Sequence, residues 1–162
     1  MRTIADSELL ISYSQIAVYR SGLQHPYSDW TEEHIQQGFA WRDGSVSFST
    51  LDDIRSRVEV STGTERPPLT GCIRAIAVPF QTDESGVGVS SILSQHISAL
   101  LPAGMYELIF MAYEPKAGAE GTLTGHYRIH FVPCASPKAE ILLQDNGLEP
   151  PSPLQMNAEA AM

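Results

Sequence analysis

Apolar and polar residues alternate with period two in segment after segment of this chain, and no other feature constrains the fold as tightly. Successive side chains on a strand face opposite sides, so such a segment buries one face and wets the other. Val46 and Phe48 alternate with Ser45, Ser47 and Ser49, and Val58 and Val60 with Arg57, Glu59 and Ser61. Ile76, Val78 and Phe80 alternate with Ala75 and Ala77, and Tyr127, Ile129 and Phe131 with Arg128 and His130. Between Glu8 and Arg20 the phase set by Leu9, Ile11 and Tyr13 changes before Ile16 and Val18, which a β-bulge near Ser14 and Gln15 accommodates. Val87 and Val89 follow the turn-like Asp83-Glu84-Ser85-Gly86. Ile97, Ala99 and Leu101 lead into Leu101-Pro102-Ala103-Gly104, whose Pro and Gly suit a type I turn joining two antiparallel strands. Met105 to Tyr113 is apolar on both sides except for Glu107, the mark of a central strand covered on two faces.

About eight strands at this spacing predict an all-β fold, an antiparallel β-sandwich with one short helical insertion. Its expected core contains Ile16, Val18, Phe48, Val60, Val78, Phe80, Leu108, Phe110, Tyr127 and Ile129. The insertion starts where Asp29 and Glu32 have the spacing of a capping box, and Gly38 is placed to end it. Ser61 to Gly71, with Pro67 and Pro68, reads as a long loop. A chain of 162 residues is one domain by the usual size prior. We expect that domain to span residues 1–145, with Ile141-Leu142-Leu143 as a short edge strand. Five of the eleven prolines lie in the last thirty residues, so residues 146–162 are expected to form a disordered, Pro-rich tail.

Nineteen acidic residues against ten basic ones leave a formal net charge of −9, which repels nucleic-acid phosphates and anionic membranes and suits a basic protein partner. Cys72 and Cys134 read as buried thiols of a reducing compartment, with no zinc-site spacing. The N-terminus has no apolar stretch of signal-peptide length, so a cytoplasmic protein is expected. His126 and His130, four residues apart on a strand, are about 13 Å apart and read as polar positions on a solvated strand face, not metal ligands. Gly86-Val87-Gly88 leads into a strand instead of a helix, and no serine lies on a nucleophile elbow. No cofactor, metal site or catalytic constellation is expected.

Acidic pairs do recur, at Glu32-Glu33, Asp52-Asp53 and Asp83-Glu84, all at strand ends, in loops or in the short helix, where binding residues tend to be presented. Trp30 and Trp41, with Tyr27 and Phe39, bracket the helix. They either pack it onto the sheets or leave an exposed aromatic rimmed by acids, the composition of an interface hot spot.

The segments LLISYSQIAVYRSG, SDWTEEHIQQGFAWRDGSVSF and AVPFQTDESGVGVSSILSQHISALLPAGMYELIFMAYEP resemble the competence protein J family of DNA-entry nuclease inhibitors. The resemblance runs from about Glu8 to Phe131 through Asp29-Trp30-Thr31, Gly38, Val46-Ser47-Phe48, Val78-Pro79-Phe80 and Leu101-Pro102-x-Gly104-x-Tyr106. It implies a small protein encoded beside a DNase, which it binds and silences. On that footing Asp29, Trp30, Glu32 and Glu33, then Asp52, Asp53, Asp83 and Glu84, are expected to face the basic cleft of a cognate DNase. The competing expectation is a sandwich module that binds a small ligand, sugar or calcium through the same carboxylates. Oligomeric state is not written in the sequence.

Overall fold

A computed structural model of the chain describes residues 1–118 and 120–162. The chain enters through β1 (Arg2–Leu10) and β2 (Gln15–Arg20), then a two-residue strand β3 (Ser28–Asp29) and helix α1 (Glu32–Gln37). The hairpin β4 (Phe39–Arg42) and β5 (Ser45–Ser49) follows, then β6 (Arg55–Thr62), β7 (Cys72–Thr82), β8 (Val87–Ser90) and β9 (Ile97–Ala99). The long strands β10 (Gly104–Ala117) and β11 (Leu123–Pro133) precede the short β12 (Glu140–Leu143) and β13 (Glu159–Ala160). The protein is mostly β, with a six-residue helix as the α-helix among the described residues.

The strands form a six-stranded sheet in the order β1-β6-β11-β10-β7-β12 and a five-stranded sheet in the order β4-β5-β2-β8-β9. β13 and β3 make a separate two-stranded ribbon. The expectation of antiparallel pairing throughout fails at one place, since β11 runs parallel to β6, with Gly125 beside Ser56 and Phe131 beside Thr62. A parallel neighbour needs a long crossover, and the excursion through β7 to β10 supplies it.

All ten expected core residues belong to one buried cluster drawn from both sheets. Phe48 of β5 stacks on Phe110 of β10 with ring centroids 4.6 Å apart and planes within 3°. On the other face of β7 and β10, Ala75, Ala77, Ile109 and Met111 form a second buried cluster, so β10 is covered on both faces. Glu107, the polar exception in that run, is only 8% exposed and accepts two bonds, at 2.7 and 2.8 Å, from Arg66 of the loop between β6 and β7, which begins after Thr62 and not at Ser61.

Two expected local features resolve differently. There is no bulge at Ser14 and Gln15. Tyr13 and Ser14 both have positive φ, 53° and 54°, in a tight turn closed by the Gln15 N–H on the Ser12 carbonyl at 3.4 Å. That turn carries the chain from one sheet to the other, and Leu9, Ile11, Ile16 and Val18 still reach one core. The Leu101-Pro102-Ala103-Gly104 turn likewise joins strands of different sheets and closes no hairpin.

The helix is capped two residues later than Asp29. Thr31 Oγ1 accepts from the His34 N–H at 3.3 Å, while His34 Nδ1 accepts from the Thr31 N–H at 3.0 Å, and Gly38 at φ 86° ends the helix as expected. Asp29 instead belongs to β3, beside Glu159.

Residues 146–162 do not match the disordered tail suggested by their composition. Leu148 is 3% exposed and lies against Gly38. Glu149 N donates to the Gln36 carbonyl, and Gln37 both donates to the Gln155 carbonyl and accepts from its N–H, each at 2.8 Å. His34, whose Nδ1 is already an acceptor, donates from Nε2 to Asn157 Oδ1 at 2.9 Å. Prolines limit the entropy such a segment loses on ordering, and a few apolar side chains suffice to anchor it.

The histidines also depart from expectation. His130 is fully buried, with Nδ1 2.7 Å from Ser61 Oγ and burial pushing its pKa down. His126 is partly buried, 2.6 Å from Glu59 Oε2, and stacks on Tyr113. The strand face is only partly solvated, because neighbouring strands supply polar partners. Of the two thiols, Cys72 is buried and Cys134 is partly exposed.

Candidate functional site

The β1–β2 turn, Trp30 and α1 wall a groove of about 450 Å³ lined by Tyr13, Ser14, Gln15, Trp30, Ile35 and Ser49. Its lining is mostly apolar, and two of its largest side chains, Tyr13 and Ile35, are 67% and 61% exposed. The helix buries His34 and Gln37 against the C-terminal segment, which turns Ile35 outward.

Asp53 Oδ1 accepts from the Ser14 N–H at 2.8 Å, and the Thr50 N–H donates to the Ser14 carbonyl at 3.0 Å. The loop bearing Asp52 and Asp53 is therefore fastened to the same turn. Its base is held on the core, where the Leu51 N–H donates to the Tyr127 hydroxyl at 3.0 Å. Glu32 and Glu33 lie exposed in the first turn of the helix that carries Ile35. Asp29 is exposed one residue before Trp30. Among the described residues, none of Asp29, Glu32, Glu33, Asp52 and Asp53 forms an ion pair with a lysine, arginine or histidine.

Asp83 and Glu84 lie elsewhere. The Ser85 hydroxyl and N–H hydrogen-bond to Asp83 and hold its carboxyl below the usual carboxylate range, and Asp83 lies 3.8 Å from Arg20. Arg20 is at the far end of β2 from Gln15, five residues on and about 17 Å away at ~3.3 Å per residue. The structure thus gathers two of the three acidic pairs around Trp30 and leaves the third at the opposite end.

The two tryptophans separate as well. Trp41 Nε1 donates to the Pro79 carbonyl at 2.7 Å and its ring packs on the main core. Trp30 faces the groove, and its Nε1 is buried without a hydrogen-bond partner among the described residues, as is Gln15 Oε1. Tyr13, Gln15 and Ile35 were not among the expected site residues. The phase change at Ser14 and Gln15 is the sequence signal that marks the turn, whereas nothing local marks Ile35 as outward-facing.

No group of three or more His, Cys, Asp or Glu able to hold a metal ion occurs among the described residues. The arrangement is one of surface: an apolar groove with unpaired carboxylates on the elements around it.

A sequence model of the competence protein J family matches residues 8–132. The chain belongs to the competence protein J family. The DNA-entry nuclease inhibitor of Bacillus subtilis (strain 168) is 33% identical over 101 residues, covering 62% of this chain and 76% of that protein. The crystal structure of ComJ from Bacillus subtilis, described as an inhibitor of the DNA degrading activity of NucA, matches with a TM-score of 0.69 at 29% identity. That match covers 82% of this chain and 98% of the other. All eight expected contact residues, and the turn and helix that wall the groove, fall within the range shared with the competence protein J family, whereas residues 146–162 lie beyond it.

Proposed function

We propose that this protein inhibits a DNase by binding it and covering its basic active-site cleft. Membership of the competence protein J family carries the reading, with the DNA-entry nuclease inhibitor of Bacillus subtilis as the similar protein whose description names the activity. It works as a binding protein, by steric and electrostatic means, and not as an enzyme. The two sheets act as the stacked layers of a sandwich, since Phe48 and Phe110 meet between them. The acids around the groove, Asp29, Glu32, Glu33, Asp52 and Asp53, face the cleft that otherwise holds DNA phosphates. Complementary charge of this kind raises the association rate and orients the partner. Two free thiols suit action in the reducing cytoplasm.

The test starts with the gene next to this one, whose product should be a nuclease that copurifies with the chain and loses activity as the chain is added. Trp30→Ala is expected to weaken that complex by about 2 kcal/mol or more, the scale of an interface hot spot. Glu32→Lys should slow association at low salt and leave dissociation nearly as it was, because a rim charge acts before contact. Thermal melting beside each binding curve separates lost contact from lost fold. Folded charge-reversal variants that inhibit as fast as the parent at low salt would sink the acidic-face mechanism.

A further inference from the structure

The turn at Tyr13 and Ser14 is held in place more firmly than a connection between strands requires. Two consecutive residues with side chains adopt the left-handed conformation, which is costly for L-residues and concentrates at functional sites. Asp53 and Thr50 bind Ser14 from one side. From the other, Ser91 Oγ bonds the Ser12 and Gln15 carbonyls at 3.0 and 2.7 Å and accepts from the Ser12 N–H at 2.8 Å. The effect is to hold Tyr13 out in solvent beside Trp30 and Ile35.

The apolar surface continues past the turn. Leu93, 70% exposed, donates its N–H to Ser12 Oγ, and Leu10, 48% exposed, lies beside it in a neighbouring cleft. Exposed apolar residues gathered at one end mark an interaction surface.

Trp30 Nε1–H and Gln15 Oε1 add a donor and an acceptor, both without a hydrogen-bond partner among the described residues. Both residues line the groove. A peptide unit carries the C=O and the N–H that such a donor and acceptor lack.

We infer that the groove seats an extended segment of the partner nuclease, which inserts an apolar side chain between Tyr13, Trp30 and Ile35 and carries a basic side chain alongside. This rests on the inhibitor reading above and names the part of the partner that the groove takes. The basic side chain is the complement of Glu32, Glu33, Asp52 and Asp53, none of which is paired within the chain among the described residues. A second copy of this chain is a poor occupant, since each copy carries a formal charge of −9 and brings the same acidic surroundings.

The experiment measures binding to the copurifying nuclease by Tyr13→Ala, Ile35→Asp and Gln15→Leu. Tyr13→Ala and Ile35→Asp are each expected to raise Kd about 30-fold, and Gln15→Leu about 5-fold with no loss of thermal stability, because it removes an unpartnered polar atom from the free protein. Leu100→Ser, an 83% exposed apolar residue beyond β9 at the far end of the sheets, controls for general stickiness. The indole N–H signals supply a second readout. On binding, that of Trp30 should shift while that of Trp41, already bonded to Pro79, stays put. Blocked Lys-Leu-Lys and Glu-Leu-Glu peptides probe the groove without the nuclease, and only the first should move the Trp30 signal.

If the parent inhibits the nuclease while folded Tyr13→Ala and Ile35→Asp inhibit equally well, the groove assignment is overturned and the inhibitor reading stands. If the parent inhibits nothing but Trp30 answers to Lys-Leu-Lys alone, the inhibitor reading falls and the groove's preference for a basic, apolar-centred segment is supported. A Trp30 shift that depends only on protein concentration would overturn the assignment in favour of a second copy.

Discussion

Replacing Asp145 by alanine lowers the stability of the fold by about 3 kcal/mol or more, on the scale of breaking a buried ion pair from one side. Arg74, whose side chain is 6% exposed, donates from Nε and Nη2 to the two oxygens of Asp145 at 2.7 and 2.9 Å. Its remaining nitrogen bonds Ser49 at the carbonyl and the hydroxyl, 3.1 and 2.8 Å away. One guanidinium therefore ties β7 of the larger sheet to β5 of the smaller one and to the segment after β12. Without Asp145 a desolvated cation is left with half its partners. Denaturant melts of Asp145→Ala measure the loss, and an equally stable variant would show that water replaces the carboxylate.

The same pair fixes a direction in pH. The Arg74 hydrogen bond, the leading cause, holds the Asp145 carboxyl below the usual carboxylate range, against burial, which pushes it up. A folded-state pKa below the unfolded one means the stabilisation is fully present above the unfolded value of about 4. It is lost as pH falls through the lower folded value. Asp145→Ala should accordingly lose part of the acid-limb slope that the parent shows.

Leu148→Ala is expected to cost about 2 to 4 kcal/mol, and deletion of residues 146–162 to lower Tm by more than about 5 °C. Leu148 fills the space over Gly38, where a Cβ added to the glycine would lie 2.9 Å from its methyl, so truncation leaves a hole beside Ile76. Deletion also strips His34 and Gln37, both fully buried, of Asn157 and Gln155. A helix of six residues does not persist on its own propensity, so α1 should loosen and the display of Ile35 and Trp30 with it. Inhibition should weaken alongside stability. An unchanged melting curve for the truncated chain would show that these contacts contribute nothing net.

The strands were legible because each carries its own alternation, and the ten expected core residues all lie inside. Phe48 and Phe110 can be placed on inward faces without knowing that they will touch. The parallel pair of β6 and β11 was not legible, since Ser56 and Gly125 are far apart in sequence and no turn type specifies their direction. The C-terminal segment was misread because its few apolar residues, Leu148, Leu154 and Met156, are too widely spaced to give a period, yet each finds a place on the main core. Thr31 and His34 escaped notice as a cap because histidine rarely fills the reciprocal position. In the candidate site, Trp30 and the acids announced themselves by residue type, whereas Tyr13 was hidden in what reads as an ordinary strand.

A chain selected for stability alone would favour Asn and Gly at positions 13 and 14, the pair that takes two positive φ angles with least strain. Tyr and Ser hold those angles at a cost on the order of 1 kcal/mol each. Because the Tyr13 side chain stands in solvent and the bonds that hold the turn come from backbone groups, Asp53, Thr50 and Ser91, its size, shape and charge can change without disturbing either sheet. Under the proposed function, that makes the turn a point of evolutionary drift in target choice: related inhibitors can diverge here toward different nucleases while inheriting the same scaffold.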